Sequence, residues 1–263
     1  MVAEFYKYQG TGNDFIIFDN RSLKFRRDIP TFYSGICDRR FGIGADGVML
    51  LQNAKDCDFE MVYFNADGRE GSLCGNGSRC IVKFAELMGI KKERYVFRAS
   101  DGLHDAIIDG NVIKLKMHDV HDIKHLINYY EIDTGSPHYV EFMQNISALD
   151  IRTEGAKIRH NETYKQEGIN VNFVEALSNG IAIRTYERGV EDETFSCGTG
   201  VTAAAIIYSV ENKLIPGAYT IPVKVLGGDL KVSFEKISNN NFTNIWLIGP
   251  AKFVFNGEIE ISF

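Results

Sequence analysis

Two short runs, Cys74-Gly75-Asn76-Gly77 and Cys197-Gly198-Thr199-Gly200, share the pattern Cys-Gly-x-Gly, each between a strand-like stretch and an apolar, helix-like one. They lie 123 positions apart (197 − 74), and the same offset pairs Tyr6 with Tyr129, Thr11-Gly12 with Thr134-Gly135, and Tyr63 with Tyr186. Four coincidences in one register indicate that the 263 residues are two copies of one unit. The fold expected is α/β (α+β), two pseudo-symmetric units, each a curved mixed sheet or barrel wrapped round a central helix, with an active site in the cleft between them. The unit carrying Cys74 is expected over 1–118 plus 252–263, and the unit carrying Cys197 over 119–251.

Alternating β-branched and aromatic residues predict strands over Met1–Tyr8, Phe59–Phe64, Asn111–Met117, Ile181–Tyr186 and Tyr219–Val225. Helices are few. One starts at Pro30, where a missing N–H costs nothing, and sets Ile29, Phe32, Tyr33 and Ile36 on one face. A second follows Cys74 and stops at Gly89; a third follows Cys197, is apolar nearly all round and must be surrounded, and ends before Pro216-Gly217.

A cysteine directly before a helix meets unsatisfied N–H groups and the positive end of the helix dipole, which favours thiolate. Two such thiols, one per repeat, suit proton transfer on both faces of one carbon, as a racemase or epimerase requires: one base removes the α-proton and one acid returns a proton opposite. One ionised and one neutral thiol meet that need without a cofactor. The N–H groups near Gly75, Asn76, Gly198 and Thr199 are placed to hold a substrate carboxylate and the charge of a developing carbanion.

Other readings are weaker. The 29 Lys and Arg against 35 Asp and Glu leave a net charge of −6, which disfavours a nucleic-acid partner. The longest apolar stretch, Val201–Val210, is far shorter than the ~20 residues of a membrane span, and no export leader is evident, so a cytoplasmic protein is expected. Five cysteines without regular spacing argue for reduced thiols, and Cys37, Cys57 and Cys80 read as packing residues. Gly42, Gly44 and Gly47 form G-x-G-x-x-G but follow a helix and lead into a strand, the reverse of a dinucleotide site, so they read as a tight turn. His118, His121 and His125 lack the spacing of a metal site, and no metal is expected. The acidic run Glu191–Glu193 reads as a solvated face. A cysteine-nucleophile hydrolase, a thiol redox protein or a non-catalytic amino-acid binder would leave the matched glycine frames or the paired thiols without a purpose.

The segments Gly10-Thr11-Gly12-Asn13-Asp14-Phe15, Arg40 to Gly47, Asn65-Ala66-Asp67-Gly68 and Cys74 to Cys80 resemble the diaminopimelate epimerase family. In the second half so do Pro137-His138, Asn170 to Phe173, Glu187-Arg188-Gly189, Cys197 to Gly200 and Gly249-Pro250. The resemblance implies a pyridoxal-phosphate-independent isomerase interconverting L,L- and meso-diaminopimelate for lysine and cell-wall precursors, with Cys74 and Cys197 as the acid/base pair. It implies that Asn13, Asn65, Asn170, Glu187 and Arg188 read the substrate, that His138 and Glu187 tune the cysteines, and that the enzyme is a homodimer with no cofactor. The nearest rival is a proline or hydroxyproline racemase, whose substrate has no distal zwitterion to engage Asn76, Glu187 and Arg188. Three departures stand out: Ser136 where the family often has Asn, Gly47 where some relatives carry an amide, and a run from Val190 to Ser196 one residue longer than the commonest pattern.

Overall fold

The computed structural model describes residues 2–71 and 73–261, so Met1, where the first strand was expected to start, lies outside them. The chain divides into two compact units: residues up to Leu115 with those from Pro250 onward, and Lys116–Gly249. In order, the first unit holds β1 (Val2–Gly10), β2 (Asn13–Asp19), α1 (Pro30–Cys37), β3 (Gly47–Gln52), β4 (Phe59–Asn65), α2 (Gly75–Leu87), β5 (Arg94–Ala99), β6 (Gly102–Asp109) and β7 (Val112–Lys116). The second holds β8 (Ile123–His125), β9 (Tyr130–Asp133), β10 (Pro137–Phe142), α3 (Ile151–Arg159), β11 (Asn170–Leu177), β12 (Gly180–Glu187), β13 (Asp192–Thr194), α4 (Gly198–Glu211), β14 (Gly217–Val225), β15 (Gly228–Ser238) and β16 (Asn241–Pro250). The last strand, β17 (Lys252–Glu260), returns to the first unit and pairs antiparallel with β1.

The two units repeat one pairing scheme. In the first, β1 is antiparallel to β2, β2 parallel to β3, β3 antiparallel to β4, β4 parallel to β5, and β5, β6 and β7 form an antiparallel meander. In the second, β9, β10, β11, β12, β14, β15 and β16 follow with the same directions. Each parallel step needs a crossover, and the helices supply them: α1 and α3 between the first parallel pair, α2 and α4 between the second. The strand β13, a hairpin partner of β12, is an addition of the second unit.

The central helices lie where their apolar residues demand. In α2, Cys80, Ile81, Val82, Phe84 and Ala85 are fully buried; in α4, so is every residue from Val201 to Ile207. The buried Lys236 donates from Nζ to Ser209 O at 3.0 Å, putting a cation at the negative end of α4. The helix α3, absent from the sequence expectations, is capped by the Asp150 side chain, which accepts from Thr153 N at 3.1 Å. Cys57 is only half-buried, its Sγ bonded to Phe59 O at 3.3 Å, because it sits in a loop rather than the core where packing was expected.

The glycines of G-x-G-x-x-G form a compact turn from α1 into β3. A Cβ on Gly42 would stand 2.3 Å from Gly35 O, and Gly44 has φ +82°. A second tight connection joins β1 to β2 through Thr11 and Gly12, with φ of 51° and 86°. Positive φ at both loop residues matches the right-handed twist of a hairpin, but for β-branched Thr11 it is a strained conformation that its surroundings must hold.

Candidate active site

In the first unit Cys74 is the N-cap of α2. Its backbone is extended, and its Sγ accepts from the Gly77 N–H at 3.4 Å. The sulfur sits at the positive pole of the helix, beside the first-turn N–H groups of Gly75 and Asn76, which have no intrahelical acceptor. Around it runs a series of hydrogen bonds whose direction is set by charged ends. Ionised Asp46 only accepts, so Asn13 turns its Nδ2 to Asp46 Oδ2 at 2.6 Å and its Oδ1 to Cys74 Sγ at 3.6 Å. Arg79 only donates, so Asn76 offers its Oδ1 to Arg79 Nη2 at 2.9 Å and its Nδ2 to Asn13 Oδ1 at 3.4 Å. Arg39 bridges Asp46 and Asp14 at 2.7 Å each, and Lys7 reaches Asp14 at 2.8 Å. Burial would raise the Asp14 carboxyl, but Arg39 and Lys7 outweigh it and hold the group at about 2. Asn65 stands apart: it ends β4, exposed, and its side chain makes no hydrogen bond among the described residues.

In the second unit Cys197 is the N-cap of α4, with Thr199 Oγ1 3.5 Å from its Sγ and Thr134 Oγ1 donating to Thr199 O at 2.9 Å. Asn172 and His138 pack on the first turn: a Cβ on Gly200 would lie 2.4 Å from Asn172 Oδ1 and 3.4 Å from His138 Cε1. Asn172 Nδ2 donates to His138 Nδ1 at 3.1 Å, which leaves the ring proton on Nε2. Burial, aided by the Arg188 charge, pushes His138 down to about 3, so the ring is neutral at pH 7. Its Nε2 has no partner among the described residues. What His138 offers is therefore an N–H, and no positive charge.

Ser136, Asn170 and Arg188 come together where β10 and β11 start and β12 ends. Ser136 Oγ accepts from Asn170 Nδ2 at 2.9 Å and from Arg188 Nη2 at 3.3 Å, and Asn170 Oδ1 accepts the Arg188 N–H at 2.9 Å. The short Ser136 thus bridges the two. Glu187 Oε2 accepts from Thr194 Oγ1 at 2.9 Å across the β12–β13 pair. The turn of that hairpin, in the run before Cys197, has Gly189 and Glu191 at positive φ. The acidic run is only in part the solvated face expected: its three residues are half-buried, Asp192 remaining the most open, while Glu191 pairs with Arg159 at 3.1 Å and Glu193 takes Arg184 bidentately at 2.6 and 2.7 Å.

Sequence reading assigned no role to Asp46, Arg79, Thr134 or Asn172. The available signal was a charged residue, Arg79, one helical turn after the first cap, and polar residues in or beside the strands. His121 is bonded to Asn241 at 3.0 Å and His125 stacks on Tyr130, and no cluster of three or more His, Cys, Asp or Glu able to hold a metal occurs among the described residues. No described helix is long and apolar enough to cross a membrane.

The sequence profile of the family described as diaminopimelate epimerase matches residues 5–120 and 130–254. The chain belongs to the diaminopimelate epimerase family. The diaminopimelate epimerase of Flavobacterium psychrophilum is 51% identical over 256 residues, covering 97% of this chain and 99% of the relative. That of Chlorobaculum tepidum is 41% identical over 261 residues, covering 96% and 99%. Among solved structures, a PhzF-family phenazine biosynthesis protein from Bacillus anthracis superposes with a TM-score of 0.76 at 14% identity, covering 99% of this chain and 100% of the other. A hydroxyproline epimerase from Agrobacterium vitis, with bound trans-4-hydroxy-L-proline, gives 0.66 at 13% identity, covering 98% and 92%. At such identities the two structures bear on the fold alone, whereas membership of the diaminopimelate epimerase family makes the chain an isomerase.

Proposed function

We propose that the chain interconverts L,L- and meso-diaminopimelate, with Cys74 and Cys197 exchanging the roles of base and acid. In one direction a thiolate takes the α-proton, breaking the C–H bond and leaving its electron pair on the α-carbon. The other thiol gives its proton to the opposite face, and the inverted centre forms. Two thiols supply both transfers, so this chemistry calls for no cofactor. The N–H groups at the starts of α2 and α4 bind the α-carboxylate and stabilise the carbanion. Asn13, Asn65, Asn76, Asn170, Glu187, Arg188 and Ser136 read the two amino-acid ends, and His138 and Glu187 tune the thiols. The observation that carries this reading is that both Cys-Gly-x-Gly runs cap the matching helix of a repeated unit, in a chain of this family. The reading includes a cytoplasmic homodimer in lysine and peptidoglycan precursor synthesis; the exposed Phe253, Val254 and Phe255 of β17 are apolar surface of the kind a second copy covers.

The test is to incubate the reduced protein with L,L-diaminopimelate in heavy water without pyridoxal phosphate, following α-proton loss and the meso isomer by NMR. Exchange with formation of the meso isomer is expected. No exchange would sink the reading, and exchange with proline alone would select an imino-acid racemase.

A further inference from the structure

We propose that Arg79 is the positioning residue that makes Cys74 the ionised thiol of the resting enzyme. The inference rests on the acid/base reading of Cys74 given above. Arg79 is fully buried one turn into α2, and among the described residues no carboxylate lies within ion-pair distance of it. Its guanidinium donates instead to neutral acceptors: Nε to Pro250 O at 3.2 Å, Nη1 to Gly75 O at 3.3 Å, and Nη2 to Thr11 Oγ1 and Asn76 Oδ1, both at 2.9 Å. A buried cation without a counter-ion is costly, and fixed hydrogen bonds offset only part of that cost. A thiolate at Cys74, beside Gly75 and reached through Asn76 and Asn13, supplies the missing negative charge.

The same contacts hold the site's shape. Arg79 fixes which way Asn76 turns its amide, and it holds Thr11, whose left-handed backbone needs support. Gly10 leaves just enough room, since a Cβ there would stand 3.3 Å from Arg79 Nη2.

Other ionisable groups around this helix start are already matched. From β1, Lys7 is paired with Asp14, and burial pushes Tyr8 up to about 12; from β2, Asp14 is shared by Lys7 and Arg39. Asp46, before β3, is held by Arg39; on α2, Lys83 pairs with Glu86 and burial pushes the Cys80 thiol far up; from β6, His104 pairs with Asp101. Asn13 Oδ1 facing the sulfur favours the thiol, but an amide dipole is weaker than a full buried charge.

The repeat sharpens the point. The offset of 123 carries Arg79 onto Thr202 (79 + 123), whose hydroxyl donates to Gly198 O at 3.0 Å and brings no charge to the start of α4. The imidazole packed there, His138, is neutral. Two helix starts alike in backbone therefore differ by a buried cation and by the cap bond that Cys74 Sγ, but not Cys197 Sγ, accepts from its helix; both differences favour charge on Cys74 and divide the pair into a resting base, Cys74, and a resting acid, Cys197.

The test reads initial rates of iodoacetamide alkylation across pH in the intact protein, with Cys74, Cys197 and Cys57 resolved as separate peptides by mass spectrometry. In the parent, Cys74 is expected to titrate at least about one pH unit below the ordinary cysteine value of about 8.5, and below Cys197. Arg79→Gln should raise the Cys74 midpoint by about one unit or more, a tenfold loss of rate at neutral pH, while leaving Cys57 unmoved. Arg79→Lys should restore the parent midpoint to within about half a unit. A parent Cys74 titrating at or above Cys197 overturns the proposal without any variant, so a misfolded Arg79→Gln does not shield it. A folded Arg79→Gln with an unmoved midpoint, or an Arg79→Lys shifted as far, overturns it as well. Alkylation needs no turnover, so failure here is distinguishable from failure of α-proton exchange with diaminopimelate.

Discussion

Cys74 and Cys197 sit at helix starts where the backbone supplies donors that a proton-carrying sulfur can use, whereas Cys57 is in a loop and Cys80 is sealed inside α2. Serine keeps the size of the residue but holds its proton far more tightly, so replacement removes acid/base function with little repacking. Cys74→Ser and Cys197→Ser are each expected to lower kcat by about 100-fold or more, the range for loss of a general acid or base. Cys57→Ser should change it less than about twofold, a surface-type substitution. A spectrophotometric or NMR epimerisation assay checks this, and equal losses in all three would assign the thiols a folding role. The two caps were legible because Cys-Gly-x-Gly recurs at a fixed offset. Arg79 was not: a charged residue inside a helix reads as solvent-facing, and only the tertiary packing of segments such as Gly10-Thr11 and Pro250 against it takes it out of water.

Among the elements, α3 shows what pattern reading misses. The sequence Ile151–Arg159 buries only Ile151 and Gly155, too few apolar positions for a periodic signal. The repeat contained the missing information, since shifting α1 by 123 places a helix at 153–160, beside the one observed. Gly155 is the contact that sets its distance from β12: an added Cβ would be 2.3 Å from Tyr186 Cβ. Gly155→Ala is therefore expected to destabilise the protein by about 1–3 kcal/mol through overpacking, despite the better helix propensity of alanine. Because Tyr186 directly precedes Glu187 and Arg188, the same variant should weaken substrate binding. Urea unfolding and a KM measurement check both, and an increase in stability would show that α3 is free to move. The acidic run is half-solvated rather than fully so for a related reason: charge in a sequence says nothing of the hairpin that turns Glu191 toward Arg159.

For the whole molecule, the lattice of Lys7, Asp14, Arg39 and Asp46 ties β1, β2 and the α1–β3 turn into one charged network. Asp14 ionises at about 2 when folded, below its ordinary 3.8. A carboxyl with a lowered folded pKa adds stability that is complete above the unfolded value and lost as pH falls through the folded one. Stability is thus expected to drop between about pH 4 and pH 2, and Asp14→Asn should flatten that part of the curve. Denaturation midpoints measured across this range check the prediction; an unchanged slope in Asp14→Asn would place the acid sensitivity elsewhere.

The sequence by itself determined the duplication, the α/β class and the two capped thiols, because each is a local or periodic property: residue order sets which strands alternate, which helix is apolar all round and which cysteine precedes a glycine. Only the tertiary structure decided how these frames differ. A side chain's electrostatic role depends on what surrounds it in space, so it took the folded units to make His138 a neutral donor, to join Ser136, Asn170 and Arg188, and to bury Arg79 among neutral acceptors where its repeat partner is Thr202.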